Sequence, residues 1–330
     1  FSGLVAAMAA GTIQNLTLAG AAGTSVATSA GALVSAQGAS DTSDGVITNC
    51  HVTGFDGVGD NGAGLVGANW GNGANASTIS QCSSAAPLTG VQVAGIVGSQ
   101  AINTTISHCL NTGNCTSASA LSGHGGIAGY GTGADSSGVR DTNGVTIQYC
   151  LNTGSSTNTG CPFGGIVGQA RNVTIVGCAN LGNIAYTDLF SNAGGIVGEA
   201  STAEGGDAGD YVNANFIDNC YDVGMHGANV AGIMGRTLAA TGGEVTLGIN
   251  NCYTLSGNLQ HGNDGVATGP GTRTITYTRC YMDNMGGTFI DDPSTNEGPN
   301  AVMVFTSCAD VLTAITNAIA GGWNANVWAA

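Results

Sequence analysis

The sequence predicts an all-β protein, a parallel β-solenoid of about nine coils with a short helical cap at its C-terminal end. Three observations predict it. A five-residue glycine phrase recurs along most of the chain, and each copy is followed by a β-branched run ending in Cys. The composition suits such a stack: 57 Gly in 330 residues, 42% apolar and only 8% charged. That apolar fraction is too high for a disordered acidic tail, and the glycines show no triplet period, which excludes collagen.

The first phrase has six clean copies: Ala63-Gly64-Leu65-Val66-Gly67, Ala94-Gly95-Ile96-Val97-Gly98, Gly125-Gly126-Ile127-Ala128-Gly129, Gly164-Gly165-Ile166-Val167-Gly168, Gly194-Gly195-Ile196-Val197-Gly198 and Ala231-Gly232-Ile233-Met234-Gly235. Degenerate copies stand at Gly3-Leu4-Val5, Ala32-Leu33-Val34 and Gly265-Val266-Ala267. The second phrase is apolar-x-x-Cys, as in Thr105-Ile106-Ser107-His108-Cys109 and Val173-Thr174-Ile175-Val176-Gly177-Cys178. A third follows at once: Leu110-Asn111-Thr112-Gly113, Leu151-Asn152-Thr153-Gly154, Ala179-Asn180-Leu181-Gly182, Tyr221-Asp222-Val223-Gly224. Short β-branched runs separated by Gly and Asn carry strand and turn chemistry. One such unit cannot bury its apolar face, but a stack of like units can. Paired glycines suit close backbone approach. No Lys exists to complete a phosphate-binding loop.

The Gly-Gly-Ile-Val-Gly, Ile-x-x-Cys and Asn-Thr-Gly phrases together resemble the GLUG-motif repeat of bacterial surface proteins, over roughly residues 3–285. Those proteins include adhesins and the non-catalytic regions of immunoglobulin A peptidases. The resemblance implies a right-handed β-helix on an exported protein and brings no catalytic residues with it.

Two regions follow: repeats over 1–285, then a C-terminal coil, short helix and Trp-containing cap over 286–330. Ser307-Cys308-Ala309-Asp310 reads as a capping box, Val311, Leu312, Ile315 and Ile319 have helical spacing, and Gly321-Gly322 is a stop. Trp323 and Trp328 could fold over the last coil. The N-terminus has no comparable cap, so end-to-end self-association or a preceding domain is expected to cover it. Without an initiating Met, a charged leader or a cleavage site, the chain reads as a mature or excised segment.

Twenty acids stand against five Arg and no Lys, a formal charge of −15. Nucleic acid and anionic membrane surfaces need a basic face and are disfavoured as partners. The longest apolar run, Leu4 to Ala10, is far short of a membrane span. Eight acids fall in insertions between the first and second phrases: Asp41, Asp44, Asp135, Asp141, Glu204, Asp207, Asp210 and Glu244. Solvation is their simplest role, and loop-borne binding the alternative.

Nine cysteines occupy one slot per unit: Cys50, Cys82, Cys109, Cys150, Cys178, Cys220, Cys252, Cys280 and Cys308. A ladder of buried thiols is expected, since one ligand per unit makes a line and not a zinc tetrahedron. Cys115 and Cys161 lie off the ladder and are the expected disulfide, which would mark an oxidising compartment. His51, His108, His124, His226 and His261 lack metalloprotease spacing. Calcium-like loops occur at Asp41-Thr42-Ser43-Asp44-Gly45, at Asp56 with Asp60, and at Asp207 with Asp210, none with EF-hand spacing. Sequons at Asn15, Asn75, Asn103, Asn114 and Asn172 are glycan acceptors in a eukaryotic secretory setting. Tyr221, Tyr253 and Tyr281 each follow a ladder cysteine and form a candidate aromatic strip for sugar rings or a neighbouring subunit. An ice-binding face would need a regular Thr-x-Thr array, and the threonines are irregular in sequence.

The functional expectation is an extracellular or cell-surface structural or adhesive protein, a stalk segment or fibre subunit without catalysis or cofactor. The alternative is a carbohydrate-active protein that binds or cleaves a polysaccharide. Cleavage would need paired carboxylates in a groove, or calcium with a basic residue.

Overall fold

The computed structural model describes residues 3–21, 23–28, 30–37, 45–60, 62–70, 76–117, 123–132, 144–158, 162–186, 193–201, 212–227, 230–238, 244–255, 272–278, 280–283 and 303–305. These residues form strands in four parallel sheets, of 17, eight, six and four strands. Every recorded strand pairing is parallel and joins a phrase to its copy in the next unit. Thus Ile79, Ile106, Ile147 and Ile175 align from one unit to the next, as do Val34, Val66 and Val97.

The sheets are open, and there is no helix among the described residues. This corrects the expected right-handed parallel β-solenoid of nine coils. The repeat phrases fix which strands pair between units, and that is what the four sheets display. They supply no hydrogen bonding that closes one sheet onto the next. The expected cap at 307–322, with Trp323 and Trp328, lies outside the described residues, as does the copy at Gly265-Val266-Ala267.

Alternation along each strand sets its buried face. In Val173–Val176, Val173 and Ile175 are buried, while Thr174 and Val176 are partly exposed. The core is built from such columns. Ile47, Ile79, Ile106 and Ile147 on the 17-stranded sheet meet Leu65, Ile96, Ile127 and Ile166 of the glycine phrases, all at 0% exposure. Full burial of each is worth about 1.5–3 kcal/mol.

The bend between the second and third phrases has one cause in the units where it is described, from Asn15 to Asn251. The residue before each ladder position is left-handed: Asn15, Asn49, Gln81, His108, Tyr149, Gly177, Asn219 and Asn251, with φ between 50° and 62°. Asn tolerates this region best, which explains its frequency there. His108 and Tyr149 do so as neighbours, with ring centroids 5.2 Å apart.

Candidate functional site

Behind these bends run two side-chain ladders. Each ladder thiol reaches the carbonyl of the isoleucine three positions before the equivalent residue of the preceding unit. Cys50 meets Ile13 O at 3.7 Å, Cys82 meets Ile47 O at 3.8 Å and Cys109 meets Ile79 O at 3.8 Å. Cys150, Cys178, Cys220 and Cys252 repeat the contact. All seven are unbridged, and burial raises Cys150, Cys178 and Cys252 well above the ordinary thiol pKa. The expected thiol ladder is therefore present through these units. Cys308 lies outside the described residues.

The second ladder is made of amides. Asn111 Nδ2 donates to Asn152 Oδ1, Asn152 Nδ2 to Asn180 Oδ1, and Asn180 Nδ2 to Asp222 Oδ1, each at 2.8 Å. The remaining Nδ2 proton of each Asn goes to the glycine carbonyl two residues on, at 3.0 Å. Asp222 ends the series. Its Oδ2 accepts from His226 Nε2 at 2.7 Å and from Thr254 Oγ1 at 3.3 Å. Burial pushes its carboxyl pKa up, against the pull of these donors.

A third polar constellation lies on the eight-stranded sheet. Tyr130, Gln169, Glu199 and Arg236 align across the strands Ala128–Thr132, Val167–Arg171, Val197–Ser201 and Met234–Leu238. Gln169 Nε2 donates to Glu199 Oε1 and to Ser201 Oγ, both at 2.8 Å. Arg236 Nε donates to Glu199 Oε2 at 3.0 Å, and a terminal guanidinium nitrogen bonds the same oxygen. Glu199 is 2% exposed, so its charge is matched inside the protein. The guanidinium of Arg171 lies over the Tyr130 ring, 5.1 Å from its centroid, a cation–π contact. This cluster was not singled out from sequence, where the few Arg look scattered over distant units. A signal was available: Tyr130, Gln169, Glu199 and Arg236 each stand three residues after the central apolar residue of a glycine phrase.

The residues singled out from sequence fare unevenly. The backbones of Tyr221, Tyr253 and Tyr281 align in register. Tyr253 is only 4% exposed, however, so this position offers no open platform to a sugar ring. Cys115 is buried on the strand Cys115–Ser117; its suggested partner Cys161 lies outside the described residues, and no described pair of cysteines stands at disulfide distance. Of the sequons, Asn103 is 2% exposed and closed to a glycan. Asn15 and Asn114 are exposed and Asn172 partly so, although each already accepts a bond from a neighbouring unit. Asn75 is outside the described residues.

Asp56 and Asp60 do not converge as calcium ligands. Asp56 accepts from Gly23 N of the preceding unit and Asp60 from Val91 N of the following one, at 2.9 Å. No group of three or more metal-ligating side chains occurs among the described residues. His124 is fully buried, and burial lowers its pKa to about 4, against the opposing charge of Asp60. His51 bonds Ser83 and Asn49. His261 and the other calcium-like loops are outside the described residues, apart from Gly45. The threonines prove more regular in space than in sequence: Thr78, Thr105, Thr146 and Thr174 form one column. The parallel column is Ser80, Ser107, Gln148 and Val176, so these four strands form no Thr-x-Thr array.

No helix among the described residues is long and apolar enough to cross a membrane. No family model matches the chain, and no curated protein or solved structure matches it.

Proposed function

We propose that the chain is an extracellular structural or adhesive protein, a stalk segment or fibre subunit, without catalysis. The carrying observation is the amide ladder from Asn111 to Asp222, in which buried polar groups join one repeat to the next. Such groups rigidify a stack and leave no buried polar side chain of the ladder pointed at a substrate. The two most buried described carboxylates support this reading. Asp222 meets His226, Thr254 and Asn180, and Glu199 meets Arg236 and Gln169, so both carboxylates are engaged by donors of the scaffold itself. The resemblance to GLUG-motif surface repeats and the lysine-free, acidic composition point the same way.

The partner in this reading is another copy, joined end to end, or a preceding domain. Among the described residues, the strand Gly11–Ala19 is hydrogen-bonded on one side, to Gly45–Thr53. Its Ile13, Leu16 and Leu18 are only partly buried, whereas their partners Ile47, Cys50 and Val52 are at most 1% exposed. Leu4, just before the strand Val5–Met8 of the eight-stranded sheet, is 54% exposed. An edge with unfinished apolar columns is suited to accept another repeat. Electron microscopy with sedimentation over a concentration series tests this. Filaments or end-to-end oligomers are expected, and a strictly monomeric chain at high concentration would defeat the fibre reading.

A second reading, a chain that binds a polysaccharide, is favoured by one observation, the Arg171 cluster.

A further inference from the structure

Arg171 is one of five Arg in a chain with 20 acids, yet no acid among the described residues holds it. Arg236, two strands away, has its guanidinium bonded to Glu199. Among the described residues, the Arg171 guanidinium has the face of Tyr130 beneath it. Its Nε is shut off from solvent without a hydrogen-bond partner, and no acceptor among the described residues meets any of its nitrogens. A partly buried cation with unmet donors is costly in a fold that satisfies its other buried charges. Stacking on Tyr130 fixes the guanidinium plane, which leaves less side-chain freedom to lose on binding.

Two residues earlier on the same strand, Gln169 supplies the complementary group. Both of its amide protons are committed, to Glu199 and Ser201. Its Oε1 therefore presents an acceptor, about 6.6 Å along the strand from Arg171 at the usual rise per residue. Gln169 and Arg171 are both partly exposed, so solvent reaches this edge.

A fixed guanidinium fork beside a committed amide oxygen selects a carboxylate that carries a hydroxyl donor nearby. The carboxylate takes the fork in a bidentate pair, and the hydroxyl donates to Gln169 Oε1. A single unpaired cation matches a monovalent carboxylate better than a doubly charged phosphate. Sugar acids combine the two groups on one ring. We propose that Arg171, seated on Tyr130 and flanked by Gln169, binds the carboxylate of a hexuronic acid residue in an acidic polysaccharide. The chain's charge of −15 opposes such a ligand at long range. Attachment therefore rests on the short-range pair, and moderate salt, by screening the repulsion, weakens it less than it weakens binding to a basic protein. This gives the polysaccharide-binding reading its ligand class and does not depend on filament formation.

The test is titration of the full chain with trigalacturonate, with neutral galactotriose and with a short aspartate-containing peptide, followed by calorimetry and by the arginine Nε–H resonances in NMR. With five Arg in the chain, the resonance of Arg171 is assignable by comparison with Arg171→Gln. Trigalacturonate should bind and shift that resonance, galactotriose should do neither, and the peptide should bind far more weakly. Arg171→Gln and Tyr130→Leu should lose binding, Arg171→Lys should recover only part of it, and Arg273→Gln, on the strand Thr272–Thr278, should bind like the parent. Absence of trigalacturonate binding by the parent chain overturns the proposal, as does binding unaltered in Arg171→Gln. Equal binding of galactotriose or the peptide overturns the sugar-acid assignment. If Arg171→Gln fails to fold, Arg171→Lys, which also lacks the arginine Nε–H, supplies the assignment and the resonance shift in the parent chain decides. A chain that ignores uronate yet forms filaments refutes this site and leaves the structural reading standing.

Discussion

Asn180 donates from Nδ2 to Asp222 Oδ1 at 2.8 Å, and at that contact the amide ladder changes character. Up to Asn180 each member both accepts and donates. Asp222 has no proton to pass on when ionised, so donors converge on it: Asn180, His226 and Thr254. Gly224 stands two residues on, where Gly113, Gly154 and Gly182 receive the second proton of their asparagines. Asp222→Asn should therefore extend the ladder and remove a buried charge. It is expected to be neutral or to stabilise by about 1 kcal/mol, because its own burial disfavours the carboxylate. Asn152→Ala should instead strand Asn111 Nδ2 and the Gly154 carbonyl, at about 2–4 kcal/mol. Denaturant melts of the two variants against the parent measure both; equal destabilisation would contradict the ladder.

Gly165 exists for the sake of Asn180. A Cβ at Gly165 would overlap both the Gly195 carbonyl oxygen and the Asn180 carboxamide, and Gly95, Gly126 and Gly195 stand in the same relation to Asn111, Asn152 and Asp222. The second glycine of the first phrase is thus what lets the third phrase form its ladder. Gly165→Ala should cost at least the roughly 1–3 kcal/mol of an overpacked core. Gly11→Ala, where nothing crowds the site but φ is +106°, should show only the backbone penalty. Thermal melts compare them directly.

Three of the ladder cysteines, Cys150, Cys178 and Cys252, should be silent in the folded protein. Cys150, Cys178 and Cys252 are at most 2% exposed and hold their protons against burial. The thiolate is the reactive form. Alkylation at neutral pH should leave them unmodified until denaturant is added, as peptide mass mapping would show. Rapid labelling of Cys178 in the native chain would contradict the packed ladder.

What was legible in sequence was the pairing, because phrase-to-phrase identity is the register itself. Ile106 aligns with Ile147 across a 41-residue step only because both precede a ladder cysteine by three. Closure and handedness were not legible, since they depend on corners whose residues vary: Gln81, His108 and Tyr149 share one left-handed conformation without sharing chemistry. The threonine column escaped notice because insertions make its sequence spacing uneven. The Arg171 and Glu199 cluster escaped because a charge reads as solvated until its strand neighbours are known.

Acid should weaken the fold through His124. This ring is fully buried, and Val93 N donates to its Nδ1 at 3.4 Å, a contact that requires the nitrogen to be unprotonated. Its pKa falls from 6.5 to about 4, chiefly through burial. Between those values the unfolded chain takes up a proton that the folded chain refuses, so stability declines as pH drops from about 6.5 towards 4 and levels off below. The full difference is roughly 3 kcal/mol, at 1.36 kcal/mol per pKa unit. Asp222, with its raised pKa, works in the opposite sense, since its burden is relieved as it protonates. The Asp222→Asn background therefore isolates the histidine. In it, replacing His124 by Gln should flatten the acid limb of the stability curve between pH 6.5 and 4. An unchanged limb would show that another group carries it.

The open edge makes the last prediction. Ile13 begins a column continued by the buried Ile47 and Ile79, and Leu18 aligns with the buried Val52, yet on the strand Gly11–Ala19 they are only partly covered. Its outward backbone groups are equally unfinished, since the strand is paired only with Gly45–Thr53 among the described residues. A Lys at Ile13 would put a charge where an added strand must bury an apolar side chain, a penalty of several kcal/mol for an unpaired charge. It would cost the isolated chain little, because the site is already half in water. Ile13→Lys should thus abolish concentration-dependent sedimentation while leaving the melting temperature nearly unchanged. Ile47→Lys, one strand inward and fully buried, should unfold the stack instead. If Ile13→Lys associates as the parent does, the Gly11–Ala19 edge is not the interface.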